Sequence, residues 1–194
     1  MTAIRRLYAW TLSLANSPYA LWALACVAFI ESSVFPIPPD LLMIPMIIAT
    51  PQRAFLIAGI ATLFSVLGGL LGYAIGMFAM DTIGGPILET LGKADSMAEF
   101  STRFNDMGFW AVLVAGLTPF PYKVITIMSG ATAMPLGTFI VTSIIARALR
   151  FFIIATLLWK FGAPVRDFIE RRLGLVFTLF CVVLVGGFVL VRYL

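Results

Sequence analysis

The chain has 194 residues, 61% of them hydrophobic and 11% charged, with a mean hydropathy of +1.05. A water-soluble domain is nearer half apolar and a quarter charged, so this composition belongs in a bilayer; at about 20 residues per crossing it allows about five to seven apolar segments and no soluble domain. The net charge of +4 comes without a basic run interleaved with aromatics, which argues against nucleic acid as a partner, and the absence of histidine excludes His-based metal sites and Ser-His-Asp triads.

The expected fold is all-α and membrane-integral, a single polytopic domain over residues 1–194. Residues 1–17 read as a short amphipathic helix at the interface, with Tyr8, Trp10 and Tyr19 suited to the aromatic belt. The apolar run after Arg5 and Arg6 reaches Ala23-Leu24-Ala25-Cys26, a loose lipoprotein-like cleavage site. Asn16-Ser17-Pro18 breaks that run and hydrophobicity continues past Cys26, so mature protein is expected here. Neither a myristoylation glycine nor a retention signal is present.

Residues 18–80 contain a first Pro-broken hairpin and a crossing. The apolar stretch from Tyr19 meets Glu31, is interrupted at Pro36-Ile37-Pro38-Pro39-Asp40, and resumes over 41–49. Residues 54–80 carry no charge and are long enough for one tilted crossing. Within them Gly68, Gly72 and Gly76 recur every four residues on one helix face, the spacing that permits close helix packing.

Residues 81–107 form the long polar connection, with five carboxylates against two cations, a local charge of −3. Residues 108–160 hold the second hairpin, broken at Pro119-Phe120-Pro121-Tyr122-Lys123, and a second crossing that carries Arg147 and Arg150. Residues 161–194 comprise a basic connection, with Lys160 at its edge and Arg166, Arg171 and Arg172 within it, and a last apolar helix over 173–191. Cys26 and Cys181 both read as small buried apolar residues.

An internal repeat organises this layout. Pro36-Ile37-Pro38-Pro39-Asp40-Leu41-Leu42 aligns without a gap on Pro119-Phe120-Pro121-Tyr122-Lys123-Val124-Ile125, and further on Pro51 and Phe55 match Pro135 and Phe139. If each broken segment is a re-entrant hairpin, Arg5, Arg6, Arg53 and the basic connection share one side and the acidic 81–107 stretch takes the other. That satisfies the positive-inside rule with the basic side cytoplasmic. The two hairpins then enter from opposite faces as inverted repeats, and their broken backbones meet near the midplane along a wet cavity.

Glu31, Asp40, Lys123, Arg147 and Arg150 are the ionisable groups expected there. Each charge within hydrocarbon costs roughly 2.5–3.5 kcal/mol even on permissive scales, so five of them imply a polar interior site. Arg147 and Arg150, three apart on one helix face, suit a phosphate clamp, and Lys123 sits at a hairpin break where a freed helix N-terminus also attracts an anion. Two carboxylates against three cations leave a net charge of +1, which suits an anionic headgroup. Neither a nucleophile–base pair nor a metal constellation is visible, so no enzyme, metal or other cofactor is expected; Ser32, Ser33 and Ser129 read as hydrogen-bonders for broken helix ends.

These residues resemble the DedA or VTT-domain (SNARE-associated Golgi-like) membrane proteins, most closely the small YqaA-type branch. The resemblance rests on Glu31 with Pro36 to Asp40, on Gly68 to Gly76 with Tyr73, and on Pro119 to Lys123 followed by Gly130 and Met134; it covers about residues 25–160. It implies two opposed re-entrant hairpins and movement of polyprenyl phosphate carriers or phospholipids between leaflets. The family's two acidic positions fall on Glu31 and Asp40. Its second hairpin usually carries two arginines six apart around a proline, and here those positions are Leu117 and Lys123.

The expectation is therefore a multi-pass transporter of the bacterial inner membrane that moves an anionic lipid. Lys123, Arg147 and Arg150 hold the phosphate, and Glu31 and Asp40 act as counter-ions or proton carriers. Pro36, Pro38, Pro39, Pro119 and Pro121 make the hairpin breaks, and the expected partners are membrane lipid, its anionic headgroup and protons, with a homo-oligomer left open. The alternatives are a proton-coupled ion or small-solute antiporter and a non-transporting membrane-protein assembly factor.

Overall fold

The computed structural model describes residues 19–34, 38–118, 121–162 and 164. The expected interfacial helix over 1–17, Pro36, Pro119, Cys181, nearly all of the basic connection and the last apolar helix lie outside them. All regular structure among the described residues is helical. In chain order these are α1 (Ala20–Glu31), α2 (Asp40–Ala49), α3 (Ala54–Ala79), α4 (Gly85–Thr90), α5 (Ala94–Asp106), α6 (Gly108–Leu117), α7 (Tyr122–Ala131) and α8 (Leu136–Gly162).

Local chemistry sets these boundaries. α1 ends where Ser33 donates its hydroxyl to the Phe29 and Ile30 carbonyls, the local bond by which serine competes with a continuing helix. Pro39 precedes the first residue of α2, and Pro121 the first of α7; proline there withholds an N–H that a helix start cannot use and fixes its φ near the helical value. Gly92, at φ +63°, closes α4 with the Lys93 amide on the Leu88 carbonyl. The end of α7 repeats that closure with the Met134 amide on the Ser129 carbonyl, but an alanine, Ala133 at φ +50°, takes the left-handed place.

α3 and α8 are long and apolar enough to cross a bilayer. α3 does not stop at the first charge: a π-helical turn at Met80–Gly84 joins it to α4, so a helical stretch runs from Pro51 to Thr90 and takes in the first part of the expected polar connection. Gly84 and Gly85 tolerate that turn and Pro86 falls at the start of α4, where proline breaks nothing. α1 and α2, of 12 and 10 residues, are about 18 and 15 Å long and fall short of the roughly 30 Å hydrocarbon layer.

Two apolar cores sit at opposite ends of this frame. One gathers the outer parts of α1 and α2 (Leu24, Met46, Ile47), the first half of α3 (Ile57, Ala61) and the second half of α8 (Phe151, Leu158). The other joins Tyr73 late in α3, Val112 of α6, Tyr122 of α7, Met134 just before α8 and Phe139 in its first turn. The long helices therefore run antiparallel, with Phe55 against Phe152 at one end (6.2 Å between ring centroids) and Tyr73 against Phe139 at the other (5.2 Å). Pro51 and Pro135 do open the two long helical stretches, but the matched phenylalanines differ: Phe55 is exposed and Phe139 is buried.

Leu56, Leu63 and Leu67 of α3 and Val141, Ile144 and Leu149 of α8 face outward. An apolar exterior of this extent suits lipid contact and not water. The same outward facing corrects the expectation for Cys26, which is exposed. It follows Trp22 and precedes Ile30 on an exposed stripe of α1 at four-residue spacing, so its apolar surroundings are the bilayer and not a protein core.

Candidate functional site

Between the two cores lie the broken ends of both hairpins. The face of α3 that carries Gly68, Gly72 and Gly76 makes their meeting sterically feasible. A Cβ at Gly68 would fall on the Phe29 carbonyl, one at Gly72 on the Thr126 hydroxyl, and one at Gly76 on the Ile127 carbonyl. The stripe thus seats α1 and then α7 on one helix at backbone contact distance. Gly130 of α7 answers it, since a Cβ there would meet the Tyr73 carbonyl.

α8 sends two arginines into this junction. Arg147 Nη2 donates to Glu31 Oε2 at 3.0 Å, and Arg150 Nη2 donates to Asp40 Oδ2 at 2.5 Å. Both carboxylates belong to the first hairpin, Glu31 as the last residue of α1 and Asp40 as the first of α2, where its charge also suits the positive end of the helix dipole. Arg150 Nη1 caps the second hairpin as well, donating to the Thr118 carbonyl at 2.8 Å and the Leu117 carbonyl at 3.4 Å, groups that the end of α6 leaves without helical partners. Lys123, the second residue of α7, reaches back across the junction to the Val34 carbonyl at 3.1 Å. All five ionisable residues singled out from the sequence therefore meet at the hairpin breaks, flanked by Pro38, Pro39 and Pro121.

The structure adds residues that sequence reading passed over. The Arg147 guanidinium lies over two rings, 4.7 Å from the Tyr122 centroid and 4.6 Å from that of Phe151, contacts that attract a cation through the ring quadrupole. Ser32 Oγ donates to Glu31 Oε2 at 3.1 Å and shares a 2.6 Å hydrogen bond with Ser65 Oγ of α3. Thr126 Oγ1 donates to the Ser32 carbonyl at 3.0 Å, joining α7 to the end of α1. Ser65 had a legible signal, because it precedes Gly68 by three residues on the glycine face; Tyr122 stands inside the second Pro motif. Of the serines read as helix-end partners, Ser32 and Ser33 bond at the end of α1, while buried Ser129 finds no side-chain partner among the described residues.

Guanidinium and ammonium groups can accept a phosphate in place of a carboxylate, and a carboxylate so displaced can take a proton. A separate groove of about 360 Å³, lined by residues including Ile48, Leu158, Trp159 and Lys160, lies about 12 Å along α2 and α8 from the ion pairs and holds none of these groups.

Fold and site together define a helical membrane protein whose charged centre is assembled where α1, α2, α6, α7 and α8 meet. Residues 37–160 match the VTT domain, and the chain belongs to that family, the DedA membrane proteins. The match takes in Asp40, Lys123, Arg147 and Arg150, with Glu31 just before it. The chain is 38% identical over 168 residues to an uncharacterized protein of Haemophilus influenzae, covering 84% of this chain and 87% of that one. It is 39% identical, with the same coverage, to an uncharacterized protein of Histophilus somni. No solved structure matches the chain significantly. The family is generally linked to membrane transport.

Proposed function

We propose that the chain is a multi-pass transporter of the bacterial inner membrane that moves an anionic lipid, a phospholipid or a polyprenyl phosphate carrier, between leaflets. The observation that carries this reading is the convergence of Glu31, Asp40, Lys123, Arg147 and Arg150 at the two hairpin breaks in a chain otherwise apolar along its membrane helices. Charges this costly in hydrocarbon persist where they serve a polar path or a bound ion.

The half-length of α1 and α2 and the antiparallel α3–α8 frame support re-entrant hairpins entering from opposite faces, with Arg53 on the cytoplasmic side. In that arrangement the lipid phosphate exchanges with a carboxylate on the cationic groups while its tails stay in the bilayer. Asp40, once displaced, carries a proton across. No enzymatic step is part of this reading.

The test is reconstitution into liposomes containing, in turn, a labelled phospholipid and a labelled polyprenyl phosphate, with leaflet exposure followed with and without an imposed pH gradient. Protein-dependent translocation, lost in Lys123→Ala and no longer gradient-driven in Asp40→Asn, is the expected result. That each arginine already holds a carboxylate favours a second reading, a non-transporting assembly factor whose charges only hold the hairpins together. Well-inserted protein that moves neither lipid would select it, or the ion or solute antiporter.

A further inference from the structure

The two ion pairs look alike in sequence, each an arginine of α8 with a carboxylate of the first hairpin, but their surroundings differ. Arg147 is 3% exposed and Glu31 13%, whereas Arg150 and Asp40 are each 16% exposed. Arg147 lies over two rings, Tyr122 and Phe151; its buried Nε has no hydrogen-bond partner, but its carboxylate is held twice, since Glu31 Oε2 accepts from both Arg147 and Ser32, with Ser65 behind Ser32. Asp40 is held once: Oδ2 accepts from Arg150, and buried Oδ1 has no hydrogen-bond partner.

An under-satisfied carboxylate on a guanidinium fork is the easier of the two to displace, because its departure breaks one side-chain bond and not two. The groups left behind would suit a phosphate. Arg150 keeps one nitrogen anchored on the Thr118 carbonyl and turns the other to the incoming anion. Lys123 spends one of its three donors on Val34, at the other end of the same break from Asp40, and has the rest to offer.

From this asymmetry, and resting on the lipid-transport reading, we infer that the phosphate-exchanging seat is Arg150 with Lys123, in competition with Asp40, and that Arg147–Glu31 is a fixed strut that positions the hairpins without touching the ligand. Of three cations that sequence spacing put on the phosphate, Arg147 is thus withdrawn. The recognised chemistry is a phosphate group, as the monoester or diester of a lipid or as the free anion in water.

The experiment measures thermal unfolding of the full chain in detergent against rising concentrations of three probes: inorganic phosphate, dihexanoyl phosphatidylglycerol, and zwitterionic dihexanoyl phosphatidylcholine as control. Paired variants avoid leaving a buried charge unpartnered. The wild type should be stabilised by phosphatidylglycerol at lower concentration than by inorganic phosphate or the control. D40N/R150Q should need at least tenfold more phosphatidylglycerol for the same shift, whatever its ligand-free midpoint loses with the Leu117 and Thr118 carbonyl bonds of Arg150. E31Q/R147Q should show a lower ligand-free midpoint and an unchanged half-saturating concentration. Arg150→Lys, which keeps the charge and loses the fork, should lie between wild type and D40N/R150Q and serves if the latter does not fold. Equal loss of affinity in both paired variants, or loss only in E31Q/R147Q, overturns the assignment while the lipid reading stands. A wild type stabilised equally by all three probes or by none overturns both, and one that prefers inorganic phosphate keeps the seat but makes its ligand a soluble anion.

Discussion

Removing Arg147 alone leaves Glu31 charged, largely buried and without its cation, the costliest way to break an ion pair. Arg147→Ala is therefore expected to lose about 3–5 kcal/mol of stability. Ser65→Ala, which takes only the hydroxyl behind Ser32, is expected to lose about 1 kcal/mol. Thermal or denaturant unfolding in one detergent compares the two, and equal effects would mean that the guanidinium is not what holds Glu31. The five charged positions were legible in the sequence because a charge in an apolar run stands out. Their pairing was not, since Glu31 and Arg147 are 116 residues apart and Asp40 and Arg150 are 110 apart. Partner choice follows from the direction in which α8 crosses the hairpins, which no local pattern encodes. Ser65 escaped notice because a mid-helix hydroxyl ordinarily bonds its own helix, as Thr62 does to the Ala58 carbonyl.

Helices pack here through what their faces lack. Gly76→Leu must push α3 away from the Ile127 carbonyl, and it should abolish a monodisperse folded peak in size exclusion. Gly59→Ala on the same helix meets nothing within 4 Å and should stabilise by about 0.5–1 kcal/mol through helix propensity alone. A similar loss in both would show that α3 does not bear the hairpins on its glycine face. At the end of α7 the strain runs the other way: Ala133 holds φ +50°, which costs a non-glycine residue about 1 kcal/mol or more, so Ala133→Gly should raise the unfolding midpoint. The four-residue glycine spacing announced a packing face, yet its two clients, the end of α1 and the middle of α7, come from different halves of the chain. The continuation of α3 into α4 was hidden by Asp81, where the polar connection over 81–107 was expected to begin and where a π-helical turn instead carries the helix on.

At the scale of the whole molecule, the antiparallel α3 and α8 carry one apolar core towards each end, the first shared with α1 and α2 and the second with α6 and α7. If α1–α2 and α6–α7 each enter and leave by one face, the residues flanking each hairpin must share a side, and the two hairpins must differ in side. Single cysteines at Tyr19 and Gln52 flank the first hairpin, and at Met107 and Ala133 the second; all four are placed in a chain with Cys26 and Cys181 changed to alanine. A membrane-impermeant thiol reagent applied to right-side-out and inverted vesicles should label positions 19 and 52 from the cytoplasmic side and 107 and 133 from the other. The charge pattern, with Arg53 beside the first pair and Asp106 beside the second, favours that polarity. Labelling of 19 and 52 from opposite sides would make the first broken segment a full crossing. Its ion pairs with α8 would then lie along a bent transmembrane helix, and the inverted-repeat mechanism would lose its frame. All four positions reporting the expected sides with polarity exchanged would keep the frame and reverse only the direction in which Asp40 faces the proton gradient.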